Sequence, residues 1–362
     1  MSQLLKLPGL IDVHTHLRVP GGEHKEDFAT GSAAALAGGV TMILAMPNTS
    51  PPLTTVEVIE QTRQTADAAI RCDVGLFAGA RPSQLELLPD LAPYTVALKI
   101  YLNETFGPLR LEALPDLLTC FRLWPKEKVI AMHAEGPNVA IGVGLAAAFN
   151  RPVHFCHISR QDEIEMIAQA KGQGIPVTCE ATPHHLFLTE DALARLGPLA
   201  DMRPKLASKA DQEALWAHIN TTIDCVATDH APHALAEKES ATPPPGVPGL
   251  QTALPLMLTA VSQGRLTLDR LIALMYTNPA RIYNLPEQPD TYIEVDPEAE
   301  YTISQTDLQT KCGWNPFVDT PLTGRVMRVV LRGQVAYQAE ASPKLSAQPG
   351  GGRLIPEAET RS

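Results

Sequence analysis

The chain has 362 residues, of which 44% are hydrophobic and 19% are charged, a composition typical of a globular protein with a large core. Its 29 basic and 40 acidic residues give a formal net charge of −11, and no run of lysine and arginine offers the basic surface that nucleic acid or an anionic membrane requires. We therefore expect no nucleic-acid partner and no membrane partner, and local groups must hold any acidic substrate.

Eight short apolar segments predict buried strands along the first two thirds of the chain, and longer segments between them have the spacing of amphipathic helices. The predicted strands cover residues 9–17, 40–46, 72–78, 96–102, 129–135, 153–158, 177–181 and 224–228. The predicted helices cover residues 27–37, 54–70, 111–124, 161–172, 209–219, 250–263 and 266–276. This alternation favours an α/β fold of the TIM type, a parallel (β/α)₈ barrel, over a doubly wound sheet.

The sequence that follows the barrel has a different pattern. Short extended segments, YIEVD and GRVMRVVLRGQVAYQ, predict a few antiparallel strands. We interpret residues 8–285 as the barrel and residues 286–340 as a small β subdomain formed mainly by the C-terminal segment. Residues 341–362 are rich in Pro, Gly and Ser and lack periodicity, so we expect a flexible tail or linker there.

Cysteine usage and the N-terminus indicate where the protein resides. Six cysteines are scattered without CxxC spacing, which predicts reduced thiols. The segment MSQLLKLPGL lacks the apolar core of a signal peptide, and no apolar run is long enough to span a membrane. We therefore expect a cytoplasmic protein.

The segment IDVHTHLR places two histidines at the end of the first predicted strand. His14 and His16 point to the same side of a strand because successive side chains alternate between its faces. They form a candidate metal-binding pair, and the alternative is two ordinary histidines at a strand end.

Further polar residues end the other predicted strands. In a parallel barrel the carboxyl ends of the strands carry the chemistry, so these side chains should converge on one cavity. They are Asn48, Lys99, His133, Cys156, His157, Glu180 and Asp229. Imidazole and carboxylate ligands suit zinc, and a catalytic zinc site keeps one position open for water. Each histidine taken singly could instead be a hydrogen-bonded core residue.

Lys99 and Asp229 have the most specific expected chemistry. Lys99 lies in a strand that should be buried, where a lone ammonium tends to lose its proton. A neutral amine can react with carbon dioxide to give a carbamate that bridges two cations, and pairing with a nearby carboxylate is the alternative. Asp229 is the candidate general base and acid, and its alternative role is that of a structural ligand.

Three residues near the strand ends could bind a carboxylate. Arg18, Asn48 and His233 supply hydrogen-bond donors, and the fork of a guanidinium matches a carboxylate. Each of them could instead cap a loop.

Together these residues resemble the amidohydrolase superfamily. The segments IDVHTHLR, AMPNTSPP, LKIYLNETF, VTCEATPHHLFL, RPKL and ATDHAPH look like dihydroorotase, in the form found as a domain of the animal-type multifunctional pyrimidine polypeptide. The likeness extends from residue 7 to about residue 285. It implies zinc-dependent, reversible cyclisation of N-carbamoyl-L-aspartate to L-dihydroorotate in pyrimidine biosynthesis, with a metal-bound hydroxide as nucleophile in the hydrolytic direction.

The resemblance also implies a role for each residue. One zinc would be held by His14, His16 and Asp229, a second by His133 and His157, and carboxylated Lys99 would bridge them. Cys156 and Glu180 match a further zinc site, for which strand packing is the alternative.

The resemblance also implies which residues bind the substrate. Arg18, Asn48 and His233 would bind the α-carboxylate, and Arg203 in RPKL is a further candidate. Thr105 and Phe106 would belong to a mobile loop that closes over the substrate. A homodimer and membership of a larger multifunctional polypeptide are also implied.

Two alternatives are left open. A dihydropyrimidinase or hydantoinase would have the same metal site, but its uncharged substrate would leave the Arg18 guanidinium unpaired. A non-catalytic scaffold would be expected to lack some ligands. Val19 and Gln251 stand where the family usually has acidic residues, which places in doubt the support around Arg18 and around the substrate loop.

Overall fold

The computed structural model of the chain describes residues 3–104, 107–339 and 344–356. Its strands, numbered in chain order, are β1 (Leu5–Pro8), β2 (Leu10–Thr15), β3 (Val40–Ala45), β4 (Asp73–Gly79), β5 (Ala97–Tyr101), β6 (Ile130–His133), β7 (Val153–Phe155), β8 (Val177–Ala181), β9 (Cys225–Val226), β10 (Tyr292–Thr302), β11 (Pro321–Leu331), β12 (Gln334–Gln338), β13 (Lys344–Leu345) and β14 (Leu354–Ile355). Strands β2 to β9 are joined in chain order as parallel neighbours and form a nearly closed barrel, which confirms the predicted fold class.

Helices follow most of the barrel strands and cover the outside of the barrel. They are α1 (Phe28–Ala37), α2 (Val56–Ala69), α3 (Leu88–Leu91), α4 (Leu114–Leu123), α5 (Pro137–Phe149), α6 (Gln161–Gly172), α7 (Pro183–Phe187), α8 (Leu193–Leu196), α9 (Lys209–His218), α10 (Leu235–Lys238), α11 (Ala253–Ser262), α12 (Leu268–Ile272) and α13 (Asn278–Ile282). Short 3₁₀ segments lie at Pro82–Leu87, Ala92–Tyr94, Glu190–Ala192, Gly197–Ala200 and Gln305–Asp307, and a π-helical turn at Ala273–Thr277 joins α12 to α13. Helices within the described ranges are all too short or too polar to cross a lipid bilayer.

Local sequence explains these elements. Every residue of β3, β4 and β5 is buried, as expected for parallel strands covered on both faces. Helix α2 buries Ile59, Thr62, Arg63 and Ala66, whose spacing of three and four residues marks one face of a helix. Ser208 begins α9 by accepting a hydrogen bond from the backbone N–H three residues later.

The barrel closes between β2 and β9 through a few individual contacts. The backbone N–H of His16 donates to the carbonyl of His230 at 2.7 Å. The buried carboxylate of Asp12 accepts from the backbone N–H groups of Thr228 and His14, each at 3.1 Å. These contacts connect the first barrel strand to the segment after the last one, so they set the positions of the residues that follow both.

The second sheet contains five antiparallel strands in the order β1-β10-β11-β12-β13. The strand β1 precedes the barrel, and the other four follow it. The predicted small β subdomain is therefore present, while its boundaries at residues 285 and 340 remain an interpretation.

The strand β14 returns from this sheet to the barrel. Leu354 and Ile355 pair in parallel with Val74 and Gly75 of β4, and Arg63 donates to the carbonyl of Pro356 at 2.7 Å. Residues 344–345 and 354–355, within the segment expected to be a flexible tail or linker, therefore form short strands, and the boundary at residue 341 stays a prediction. Composition could not reveal this, because the two paired residues depend on a partner strand far earlier in the chain.

The variant Ile355→Ala is expected to lower the free energy of unfolding by about 2–4 kcal/mol, because it leaves a cavity among buried side chains of the barrel interior. Urea denaturation followed by circular dichroism measures this change. The control Val335→Ala, at a position with 39% exposure, should change it by less than about 0.5 kcal/mol. Equal effects of the two variants would show that β14 contributes nothing to the barrel.

Candidate active site

The predicted site residues surround one cavity of about 400 Å³ at the carboxyl ends of the barrel strands. The cavity is lined by His14, His16, Arg18, Asn48, Tyr101, Glu104, His133, His157, Arg203, Asp229, Ala231, His233, Pro244, Pro245 and Gly246. Lys99, Cys156 and Glu180 are completely buried and do not belong to the lining. Thr105 and Phe106 lie outside the described residues, so their predicted loop role stays a prediction.

The first group combines the end of β2 with the segment after β9. His14 Nε2 lies 3.3 Å, and His16 Nε2 3.0 Å, from the same carboxylate oxygen of Asp229. The backbone φ of Asp229 is 45°, in the left-handed region that non-glycine residues rarely adopt. Such strain is typical of functional sites and here helps to aim the carboxylate at both imidazoles.

The second group combines the ends of β6 and β7. His133 Nδ1 and His157 Nε2 face each other at 2.8 Å, and His133 Nε2 contacts Glu135 at 2.8 Å. Because the carboxylate of Glu135 only accepts, it places a proton on His133 Nε2 and leaves Nδ1 as the nitrogen with a lone pair. His157 also has positive φ, 36°, and its buried Nδ1 has no hydrogen-bond partner among the described residues.

The third group lies in the buried layer. Lys99 Nζ donates to Cys156 Sγ at 2.8 Å, and within the described ranges it forms no ion pair with a carboxylate. Glu180 on β8 contacts His14 Nδ1 at 2.5 Å and accepts from the backbone N–H of His157 at 3.1 Å. The alternative of a Lys99–carboxylate pair is therefore not what the structure contains.

The electrostatics of these groups favour a positive charge around His14. Burial and the charge of Lys99 lower the pKa of His14, but Asp229 and Glu180 outweigh them and raise it to about 10. Burial opposes ionisation of Asp229, yet His14 and His16 hold its pKa well below the usual range, so it is a carboxylate at neutral pH. Burial lowers the pKa of His16 to about 4, which keeps this imidazole neutral.

These residues fit divalent metal ions. Ligand atoms of His14, His157 and Asp229 lie within 4.8 Å of one another, and those of His14, Cys156 and Glu180 do as well. Nitrogen, oxygen and sulfur ligands of this kind suit zinc. The facing nitrogens His133 Nδ1 and His157 Nε2, 2.8 Å apart, are two further donors of this kind.

The tautomer of His16 is set by Asn48. His16 Nδ1 lies 2.8 Å from Asn48 Oδ1, and an amide oxygen can only accept, so Nδ1 carries the proton. His16 Nε2 is then free to act as a ligand, and the amide NH₂ of Asn48 is left as a donor at the cavity.

Arg18 and His233 lie next to each other in the cavity lining. Arg18 donates through Nε to the carbonyl of Pro232 at 3.1 Å, and its Nη2 lies 3.2 Å from His233 Nε2. The ammonium of Lys25 lies 3.2 Å from His233 Nδ1, so this nitrogen accepts. Burial and the charges of Arg18 and Lys25 lower the pKa of His233 to about 2, which keeps its ring neutral.

A buried lysine fixes the part of the cavity wall formed by residues 244–246, which contacts His233. Lys238 on α10 donates to the carbonyls of Asp201, Pro244 and Gly246 at 2.9–3.1 Å. All three donors of the ammonium are therefore used to fix the loop that ends in Gly246. Trp314, in the loop between β10 and β11, donates to the carbonyl of His233 at 2.7 Å.

The structure also shows the contacts of Arg203, Val19 and Gln251. Arg203 lines the cavity and pairs with Asp201 at 2.5 Å. Val19 is buried in the core, and Gln251 donates to the carbonyl of Asp307 at 2.7 Å while accepting from the backbone N–H of Gln309 at 2.9 Å. The amide of Gln251 therefore joins the segment before α11 to the loop after β10.

Several residues of the cavity were not predicted from the sequence. Tyr101 lies two residues after Lys99 on the same strand, and the alternation of side chains that identified His14 and His16 as a pair also places Tyr101 on the face of Lys99. Glu135 likewise lies two residues after His133. The wall residues Pro244 to Gly246 and the anchor Lys238 had no comparable signal, because their contacts link separate loops.

Comparison with known proteins identifies the family. A model of the amidohydrolase family matches residues 5–288. The chain is 51% identical over 336 residues to the multifunctional protein CAD of Squalus acanthias, covering 92% of this chain and 15% of that protein. It is 34% identical over 377 residues to the dihydroorotase of Geobacter sp. (strain M21), covering 93% of this chain and 88% of that enzyme.

Solved structures agree on the fold. L-hydantoinase from Arthrobacter aurescens superposes with a TM-score of 0.90 at 24% identity, over 97% of this chain and 88% of that chain. The inactive dihydroorotase-like domain of a CAD-like multifunctional protein from Chaetomium thermophilum superposes with a TM-score of 0.83 at 27% identity, over 98% of this chain and 99% of that chain.

The chain thus spans about 15% of the length of the CAD protein that it resembles and most of the length of the single-function enzyme. The extent of the family match and the identity to a dihydroorotase of nearly the same length are decisive: this chain belongs to the amidohydrolase family and, within it, to the dihydroorotases.

Proposed function

We propose that the chain is a zinc-dependent dihydroorotase, which interconverts N-carbamoyl-L-aspartate and L-dihydroorotate in pyrimidine biosynthesis. One observation carries the proposal: the His and Asp ligand set and the Arg18–His233 pair line the same cavity. A cyclic amide with one carboxylate matches this arrangement, because its carboxylate and its reacting carbonyl must be held at opposite ends. Identity to dihydroorotases supports the assignment.

Substrate binding depends on charge. The guanidinium of Arg18 forms charge-assisted hydrogen bonds with the α-carboxylate, and the amide NH₂ of Asn48 adds donors. The neutral ring of His233, whose Nε2 lies 3.1 Å from the carbonyl of Pro245, contacts the guanidinium and the substrate from the side. Arg203 lies on the same cavity and adds positive charge there. Since the chain carries a net charge of −11, these local donors must overcome repulsion of an anionic substrate.

The proposed metal ligands follow the two groups of histidines. One zinc would be held by His14, His16 and Asp229, a second would be held by His133 and His157, and carboxylated Lys99 would contribute to both. Cys156 and Glu180, together with His14, would offer donors for a third. Bound zinc supplies a Lewis acid for the reacting carbonyl and lowers the pKa of a water.

Asp229 transfers the proton in this mechanism. Its low pKa means that it begins as a carboxylate in the hydrolytic direction and accepts a proton from the attacking water. It then donates that proton to the ring nitrogen as the C–N bond breaks. In the direction of ring closure the same carboxyl group starts protonated.

Two other functions fit less well. A hydantoinase or dihydropyrimidinase has the fold support of the Arthrobacter aurescens structure, but an uncharged substrate would leave Arg18 without its anion. A scaffold role has the precedent of the inactive Chaetomium thermophilum domain. Against it, the ligand set of this chain is complete and its tautomers are fixed by neighbouring side chains.

We further propose that the chain acts as a homodimer, as a domain of a longer multifunctional polypeptide and in the cytoplasm. The similarity to a CAD protein supports the second statement, and six buried free thiols suit a reducing compartment. For the dimer, α5 exposes an apolar face made of Ala140, Ile141, Gly144, Ala147 and Ala148. A two-fold axis would bring two such faces of small side chains together.

The first test measures turnover of dihydroorotate, carbamoyl aspartate and dihydrouracil by the purified chain with zinc and bicarbonate. We expect turnover of the first two, and Arg18→Met should lower kcat/KM for dihydroorotate about 10- to 100-fold, mainly through KM. The control Arg195→Met removes an exposed guanidinium outside the cavity and should leave both constants unchanged. Turnover of dihydrouracil alone would identify a hydantoinase-type enzyme, and no turnover with zinc bound would favour the scaffold.

The second test measures zinc per chain by mass spectrometry. His14→Ala and His157→Ala should each lose at least one zinc relative to the wild type, whereas the exposed His24→Ala should keep all of it. A carbamate signal from ¹³C-bicarbonate, present in the wild type and absent from Lys99→Gln, would support carboxylation. Unchanged zinc in both histidine variants would contradict the ligand assignment.

The third test measures mass in solution. Ile141→Glu places a charge on the apolar face of α5, where the side chain of Ile141 is 41% exposed, and should shift a dimer to a monomer in sedimentation equilibrium. Leu193→Glu, at an equally exposed position on α8, should leave the mass unchanged. A dimer that survives Ile141→Glu would rule out this face as the contact.

A further inference from the structure

Unpaired buried polar atoms point to one group at the cavity that the proposed mechanism does not use. Among the described residues, seven buried side-chain nitrogen or oxygen atoms lack a hydrogen-bond partner. Two of them belong to residues that line the cavity, His157 Nδ1 and Tyr101 Oη. His157 already belongs to the proposed metal ligands, whereas the hydroxyl of Tyr101 has no assigned role.

The position of Tyr101 follows from strand register. It is the last residue of β5 and lies opposite His133 of β6, while Lys99, two residues earlier on the same face, lies opposite Ala131. The rings of Tyr101 and His133 are 6.1 Å apart between centroids, and Lys99 Nζ lies 5.1 Å from the Tyr101 centroid. Tyr101 is therefore next to one candidate metal ligand and beside the lysine proposed to bridge the metals.

The hydroxyl of Tyr101 is buried and has a free proton to donate. The residue is 2% exposed, and its Oη has no hydrogen-bond partner among the described residues. A protonated phenol in a site that excludes water gives a stronger hydrogen bond to a developing negative charge than to a neutral carbonyl. Leaving such a group unpaired is costly unless a ligand completes its hydrogen bonding.

We propose that Tyr101 is a catalytic residue that donates a hydrogen bond to the oxygen of the reacting ring carbonyl. This inference rests on the proposed dihydroorotase activity and adds a residue to it. In hydrolysis, the oxygen of a water molecule bonds to the carbonyl carbon, and the π electrons of the carbonyl move onto its oxygen. The phenol O–H stabilises this oxyanion without transferring its proton. The electrons return as the C–N bond breaks and the nitrogen takes the proton from Asp229.

The geometry favours the reacting carbonyl over the substrate carboxylate. Under the proposed function Arg18 and His233 would bind the carboxylate, and Tyr101 lies opposite His133, a candidate ligand of the metals, in the strand register. A donor there contacts the oxygen whose charge grows during the reaction. Its hydrogen bond therefore contributes to the rate more than to substrate affinity.

The test compares Tyr101→Phe with the wild type on dihydroorotate and carbamoyl aspartate. Removing one oxygen should lower kcat about 10- to 100-fold in both directions, with KM changed by less than about threefold and zinc content unchanged. Tyr283→Phe is the matched control, because its hydroxyl is also buried and unpaired but does not line the cavity. It should retain kcat within about twofold.

Each other outcome has a distinct meaning. Wild-type activity with an unchanged kcat in Tyr101→Phe would overturn the role of Tyr101 alone. A raised KM with unchanged kcat would show a contact with the ground state, and loss of zinc would show a structural role, so both would overturn the proposal. A wild type that turns over neither substrate would refute the dihydroorotase activity and, with it, this role.

Discussion

The closure of the barrel between β2 and β9 is the constraint on which the rest of the site depends. The first strand delivers His14 and His16, and the segment after the last strand delivers Asp229, so these ligands meet only if the two ends of the barrel are held together. The closing contacts are few: the hydrogen bond from His16 to the carbonyl of His230, and the buried carboxylate of Asp12. The two segments that close the barrel are therefore the same segments that carry these ligands.

A second layer of polar groups determines how the ligands present themselves. Asn48 accepts a hydrogen bond from one ring nitrogen of His16 and so keeps the proton on it, Glu135 does the same for His133, and Glu180 contacts His14. Each contact leaves the other ring nitrogen directed at the candidate metal region. Asn103 extends this layer, since its Oδ1 accepts from the backbone N–H of Glu135 at 2.9 Å. The start of the loop after β5 is thereby fixed to the residue that orients His133.

The fold and most of the site could be predicted from the sequence because both depend on short-range patterns. Buried parallel strands are continuous apolar segments, and their ends are visible as the first polar residues. Helix α5 was not predicted, because VAIGVGLAAAF is apolar throughout and lacks the periodicity of an amphipathic helix. The strand β14 and the contacts of Gln251 were not predictable either, since each depends on a partner chosen by tertiary packing rather than by neighbours in sequence. The zinc ligation, the carboxylation of Lys99 and the closing loop remain predictions.

The late position of the supporting contacts has a consequence for how the chain folds during synthesis. All the candidate metal ligands lie before residue 230, but Trp314 holds the backbone of His233, Thr310 hydrogen-bonds the buried Glu26, and Ile355 packs into the barrel interior. The candidate ligands leave the ribosome well before the residues that form these supporting contacts. The nascent barrel therefore has its full set of candidate metal-binding side chains while part of its apolar interior still lacks the later residues that pack against it.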